Sequence, residues 1–187
     1  MSPITLTPPL SENDVRRLRA GDVVAITGRI VTARDRAHAR IVSGKRPPLD
    51  LEGGIVYHCG PLAKRIREGW RIVSAGPTTS ARMERLQAEF VRRTGIRAIV
   101  GKGGLGEAAG AVARLGCVYL TFPGGAGALA AESVERVERV YWMDLGEPEA
   151  MWVLRVKNFG PLLVAIDTAG NNMYETCTAL TQFKKQK

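Results

Sequence analysis

Short apolar runs, each cut off by Gly, Pro or a cluster of small polar residues, set the rhythm of this chain, and the period of each run predicts its element. Ile4 to Thr7 is an opening strand stopped at Pro8-Pro9. Ser11-Glu12-Asn13-Asp14 then offers N-cap chemistry for a short helix through Arg19. After the Gly21-Asp22 turn, the β-branched run VVAITGRIVT predicts a strand from Val23 to Thr32, with Gly28 marking a bulge or a close backbone approach. Arg34 to Val42 is expected to be a helix charged on one side and ended at Gly44, and Lys45 to Asp50 a loop around Pro47-Pro48. Gly54 to Tyr57 is a short buried strand leading into His58-Cys59-Gly60-Pro61, and Lys64 to Arg67 is expected on the surface. Arg71 to Ala75 is a further strand, broken by Gly76-Pro77-Thr78-Thr79-Ser80 before a helix from about Ala81 to Arg93.

The second half continues the alternation. Ile96 to Val100 is a strand, Gly101 to Gly106 a glycine loop, Glu107 to Leu115 a helix and Cys117 to Thr121 a strand, which is the βαβ pattern. Beyond the loop Phe122 to Gly127, an Ala-rich stretch sets Glu132, Glu135 and Glu138 against Arg136 and Arg139 and has helical spacing. Trp152 to Val156 and Leu162 to Asp167 close the chain as strands, and Phe183 to Lys187 is expected to fray. No internal repeat or linker divides the chain. The expected class is α/β, a single domain over residues 1–187 with a mixed sheet, its core spanning about 5–175 and a tail over 176–187.

At 187 residues and average globular composition, the chain can bury a sizeable core, and no apolar stretch reaches the roughly 18 residues a membrane helix needs. The N-terminus lacks the basic, apolar and small-residue order of a secretory signal, so a cytoplasmic location is the default expectation. Cys59, Cys117 and Cys177 have neither disulfide-framework nor metal-knuckle spacing, and reduced structural thiols are expected. Lys and Arg number 27 against 18 Asp and Glu, a net charge of +9, and the excess lies wholly before residue 103. Such a field attracts nucleic acid, an acidic protein or a small polyanion, and charge alone does not choose.

Three strand-to-helix loops carry the candidate chemistry. Gly101-Lys102-Gly103-Gly104-Leu105-Gly106 fits G-x-G-x-x-G between a strand and a helix, yet the acidic residue that a dinucleotide's ribose needs ~20 positions on is missing. A Walker A loop fails too, because Gly103 stands where Ser or Thr should follow the lysine. What remains is either an anion site of backbone amides beside Lys102, or a tight turn with a solvated lysine. Thr78 and Arg82, four residues apart, either face one ligand or reduce to an N-cap and a surface charge. Arg34 and His38 share a helix face; Arg34 can fork onto a carboxylate, while His38 is either an acid–base or an imidazole bonded to a local carbonyl or to Asp35. His58, after an apolar run, is the kind of histidine that is satisfied in a core. Short-spaced zinc sites, a G-x-S-x-G elbow and a glycosidase-like acidic pair are all absent. Aromatics are few and not interleaved with the basic residues, which leaves RNA little to stack on.

Taken together, TGRIVTARDRAHARI, GGIVYHCGP, SAGPTTSARM, VGKGGLG and YLTFPGGAGALAA resemble, in that order, the β subunit or C-terminal domain of the iron–sulfur hydro-lyases, the class I fumarase and L-tartrate dehydratase family. The resemblance implies a swivelling β/β/α domain whose partner, an α subunit or N-terminal domain, holds an oxygen-sensitive [4Fe–4S] cluster, so that none of the three cysteines here is a cluster ligand and this chain carries no metal. It also implies Thr78 as the catalytic base toward the C3 proton and Arg34, Arg82 and Lys102 as dicarboxylate contacts. Asp35, His38, Gly76, Gly101 and Gly103 would support them. Cys59 and Ser80-Ala81 depart from the family pattern, and His58 is given no role. Removing a proton beside a carboxylate builds negative charge that fixed cations stabilise, and an iron acting as Lewis acid would carry away the hydroxyl. The expected reaction is reversible hydration of fumarate to L-malate, with L-tartrate dehydration as the alternative and a basic nucleic-acid-binding domain as the non-enzyme alternative. The expected partners are the iron–sulfur α subunit, a dicarboxylate and a possible second β chain, with neither nucleic acid nor membrane. The segment Phe122 to Leu129 is either an apolar partner surface or a buried turn.

Overall fold

The computed structural model describes residues 2–176; Cys177 and the expected frayed end lie outside the described residues. Its strands and α-helices include, in chain order, β1 (Ile4–Leu6), α1 (Glu12–Arg16), β2 (Val23–Thr32), α2 (Asp35–Val42), β3 (Ile55–Tyr57), β4 (Leu62–Ile66), β5 (Gly69–Ser74), α3 (Glu84–Thr94), β6 (Ala98–Gly101), α4 (Ala108–Arg114), β7 (Val118–Thr121), α5 (Gly127–Glu132), β8 (Val134–Tyr141) and β9 (Met151–Ile166). The α/β class with a mixed sheet is as expected.

The sheet closes on itself. β2, β3, β6 and β7 run parallel in that order, β9 pairs antiparallel with β7, and the same β9 pairs antiparallel with β2 along most of its length. β1 flanks β2, and β8 flanks β9. The two-residue alternation of side chains therefore sorts every strand into an inside and an outside. Ile30, Tyr57, Val100, Leu120 and Leu154 belong to one buried cluster with Trp152 and Phe159. Their neighbours Val31, Val56, Ile99, Tyr119 and Val153 belong to a second, shared with Ile41 of α2, Phe90 of α3 and Val112 of α4. Each fully buried apolar side chain of this kind contributes about 1.5–3 kcal/mol relative to exposure. Ser11 caps α1 through a reciprocal box with Asp14, as its sequence predicts. Gly28 is both bulge and close approach: its φ is +140°, the β2–β9 register shifts there, and a Cβ would meet Pro8 Cδ at 3.1 Å.

Three expectations are corrected, and one is extended. Lys64 to Arg67 is exposed as expected, and Leu62–Ile66 forms β4, paired with β5 as a hairpin. The helix expected from Ala81 starts as a 3-10 turn, Ser80–Met83. The two closing strands are one continuous strand, β9. The helical spacing of the Glu132 to Arg139 stretch is that of a bulged strand, since α5 ends at Glu132 and β8 follows. Val134, Val137 and Val140 pair with Val156, Leu154 and Trp152, and the register shifts once in each interval. Two bulges thus let a three-residue period on β8 match a two-residue period on β9, and all three valines pack on the inner cluster. Of the segment Phe122 to Leu129, Phe122 is core and Leu129 is half exposed.

Candidate active site

Parallel strands end on the same edge of a sheet, and the crevice outside those ends is where open α/β sheets bind ligands. Here the ends of β2, β3 and β6 deliver Arg34, His58 and Lys102 side by side, because Thr32 is registered with Tyr57 and Tyr57 with Val100. The segment Pro77 to Ser80 is laced onto that edge. Thr78 N–H donates to the His58 carbonyl at 2.6 Å, Lys102 N–H donates to the Thr78 carbonyl at 3.3 Å, and Ser80 N–H donates to the Lys102 carbonyl at 3.0 Å. Cys59 pairs with Pro77, and Thr79 with Lys102, as isolated bridges. The half-buried Thr78 is therefore held by its backbone on both sides.

Ion pairs draw the cations into the same patch. Arg82, one turn past Thr78, places Nη2 3.3 Å from Asp35 Oδ2, and Arg34 Nη2 lies 3.9 Å from that oxygen. Arg34 Nε lies 3.3 Å from Glu149 Oε1, while the other Glu149 oxygen accepts the Arg36 N–H at 2.9 Å. The Arg34 side chain is 18% exposed and that of Arg82 56%, so the first is fixed and the second reaches solvent. Arg34 Nη1 passes over Gly60, where a Cβ would come within 2.6 Å of it and 2.7 Å of the Pro148 carbonyl. Only glycine leaves that room. Asp35 and Glu149 offset the two guanidiniums, and the half-buried Lys102 has no acidic partner among the described residues. Arg34 Nε and Asp35 Oδ2 are buried without a hydrogen-bond partner, which marks unspent bonding capacity at the patch.

Behind it lies a buried polar network. Ser80 Oγ is 2.8 Å from His58 Nδ1 and accepts the Tyr119 hydroxyl at 2.9 Å, and the Gln87 amide is 3.3 Å from His58 Nε2. Gly101 makes this possible, since a Cβ there would lie 2.0 Å from Ser80 Oγ. His38 donates its Nδ1–H to the Arg34 carbonyl at 2.9 Å, stacks on Phe90 and meets the His58 ring edge-on at 5.1 Å. Burial pushes His38 down to about 4, against the opposing pull of the Arg34 carbonyl and Asp35. Burial, then the neighbouring His38, holds His58 well below the ordinary imidazole value. Both rings are neutral at pH 7, and His38 is fully buried against the Arg34 carbonyl.

The glycine loop is less of an anion cradle than its motif implies. A Cβ at Gly106 would come within 2.0 Å of Glu84 Oε2, so the protein's own carboxylate lies against the start of α4. Lys102 is what the loop contributes. Gly103 adopts φ +69°, and Gly76 backs onto Gly127, whose carbonyl accepts the Ala75 N–H at 2.9 Å. Among the described residues no group of three or more His, Cys, Asp or Glu is placed to hold a metal ion, so these residues do not fit an iron–sulfur cluster. Cys59 and Cys117 are buried free thiols, and burial pushes Cys59 up to about 12. No helix of the described residues is long and apolar enough to cross a membrane.

Ser80, Gln87, Tyr119, Glu149 and Gly60 are the residues the sequence reading missed. Glu149 stands more than a hundred residues from Arg34 and has no local signature. Tyr119 occupies an outward strand position indistinguishable from a packing residue, and Ser80 passes for an ordinary loop serine.

The model of the fumarase C-terminus matches residues 1–177. This chain belongs to the fumarase C-terminal family. Within it, the chain is 46% identical over 174 residues to the L(+)-tartrate dehydratase subunit beta of Escherichia coli (strain K12), covering 90% of this chain and 85% of that one. It is 50% identical over 172 residues to the putative L(+)-tartrate dehydratase subunit beta of Methanocaldococcus jannaschii, covering 89% and 88%. A putative fumarate hydratase class I of Geobacillus stearothermophilus is 43% identical over 189 residues, covering 97% of this chain but 36% of that longer one. The fumarase C-terminal relatives are thus hydro-lyase subunits or a part of one long hydro-lyase chain, and tartrate names accompany the matches that cover nearly the whole of both chains.

Proposed function

We propose that this chain is the β subunit of a two-chain hydro-lyase that dehydrates L-tartrate, residues 1–187 working as one unit in the cytoplasm beside an α subunit that holds the cluster. The observation that carries this reading is the joining of Arg34 and Arg82 through one carboxylate, Asp35, on the same strand edge where the backbone of Thr78 is laced to Lys102. The relatives' names favour tartrate over the fumarate hydration expected from the sequence; the Geobacillus relative keeps fumarate as the second reading.

Arg34, fixed by Glu149 and Asp35, supplies a planar fork for one carboxylate. Arg82, mostly exposed, closes on the other. Lys102 brings the positive charge left unbalanced at the patch. As the proton beside a carboxylate leaves, negative charge builds, and preorganised donors aimed at it act without reorganisation; losing one such donor costs about 10²–10³ in rate. Thr78 holds the hydroxyl assigned to that proton. A neutral threonine needs a proton acceptor of its own, and a carboxylate of the α subunit fits that need.

The test is anaerobic co-production with an α subunit and assay on L-tartrate, D-tartrate, fumarate and L-malate. The expected result is turnover of L-tartrate only when both chains are present, lost in Thr78→Ala. Turnover by this chain alone, or undiminished turnover in Thr78→Ala, overturns the reading; turnover of fumarate with none of tartrate selects the second.

A further inference from the structure

Ser80 is fully buried, touches no solvent, and has no part in the chemistry proposed above, yet its hydroxyl spans three strands. His58 continues β3, Tyr119 lies on β7, and Gly101 ends β6, the strand between them. The missing side chain at Gly101 leaves the gap in which Ser80 Oγ reaches His58 Nδ1 on one side and the Tyr119 hydroxyl on the other. The backbone of the same residue donates to the Lys102 carbonyl, and Lys102 donates to the Thr78 carbonyl. This ladder ties Thr78 to Lys102, and at its far end the Ser80 side chain is anchored by His58 and Tyr119.

We infer that Ser80, hung between Tyr119 and His58 over Gly101, is a positioning residue that sets Thr78 and Lys102 in register. The inference rests on the proposed function for its kinetic consequence only. A hydroxyl pin matters because a displacement of about 1 Å at a reacting group is enough to cost 10²-fold in rate. The Ser80 hydroxyl itself makes no contact with a ligand in this account, so its loss leaves the arginine fork and ground-state binding in place.

The experiment compares Ser80→Ala, Tyr119→Phe and the double variant in the two-chain complex, with L-tartrate and fumarate as probes. Ser80→Ala lowers kcat at least tenfold with KM changed less than threefold. Tyr119→Phe, which removes one of the two supports and folds most readily, lowers kcat by a smaller factor. The double variant recovers part of the melting temperature, because no tyrosine hydroxyl is left unpaired while His58 Nδ1 still is, but does not recover kcat. A kcat within twofold of the parent in Ser80→Ala, or recovered together with stability in the double variant, overturns the inference. Amide hydrogen exchange on the ligand-free chain separates this from the functional reading: Ser80→Ala speeds exchange at residues 78–80 and 101–103 about tenfold and leaves the β2–β9 pairing unchanged. Unaltered exchange at those residues overturns the pin whatever the substrate is, while a parent complex inert toward every diacid tested overturns the function and leaves the exchange result to decide the pin.

Discussion

The chain has two histidines, and both are buried in the network behind the candidate site. Their titration therefore dominates the response of stability to mild acid. An imidazole whose folded pKa is lowered is neutral when folded, and the unfolded chain binds more protons below its ordinary value of 6.5. Stability is then fully present above about pH 6.5 and falls as pH drops, levelling off only below the folded pKa. With His38 at about 4, each pH unit inside the window removes about 1.4 kcal/mol, which amounts to about 2 kcal/mol at pH 5 and about 3 kcal/mol once the window is crossed. His58 acts in the same direction and adds to it. The carboxylates held low by ion pairs or capping bonds, Asp14, Glu89 and Asp144 among them, start from 3.8 or 4.5 and act chiefly below about pH 5. Urea unfolding between about pH 7.5 and about pH 5 measures the effect, and His38→Gln should reduce the slope by one proton. An unfolding free energy flat down to about pH 5, or a slope unchanged in His38→Gln, refutes the burial argument.

Three further outcomes follow from the geometry. Gly101→Ala should lower the melting temperature and activity together, since its Cβ would sit 2.0 Å from Ser80 Oγ; a variant as stable as the parent shows that the network has slack. Glu149→Gln should raise KM for the diacid by roughly three- to tenfold, about 1 kcal/mol for a weakened charged contact, with a smaller effect on kcat, read from steady-state kinetics of the two-chain complex. Deleting Glu135 and Glu138 together leaves Val-Arg-Val-Arg-Val, a strict two-residue alternation that keeps every valine on the inner cluster. Circular dichroism and thermal melting should find that variant folded, whereas deleting Val137 alone should destabilise it by about 1–3 kcal/mol.

How much of this was legible in the sequence depends on whether the information was local. β2 is readable to the residue, because a β-branched run between two turns has no competing period. The three loops that build the candidate site are readable for the same reason: Gly and Pro mark strand ends, and the hydroxyl and basic residues follow directly. β8 is misread because its period of three results from bulges that exist only against β9, and a bulged strand then carries the spacing of a helix. Glu149 and Tyr119 are invisible because their roles depend on strand order. Arg34 pairs with a carboxylate that the chain supplies only in the turn just before β9, and Tyr119 finds Ser80 only because β6 carries a glycine between them. The pairing of β4 with β5 is not legible because exposed basic residues carry no apolar alternation to mark a strand.

The double pairing of β9 has a consequence for how the molecule comes into being. β2 is complete near the N-terminus, yet the strand that covers its second edge is made more than a hundred residues later. During synthesis the edges of β2 and β7 both wait, unpaired, for the same late segment, and contacts of such large sequence separation make closure a slow event. A nascent or clipped chain ending before Met151 presents two sticky edges rather than a smaller stable sheet, which makes β9 the keystone of an arch that cannot stand half-built.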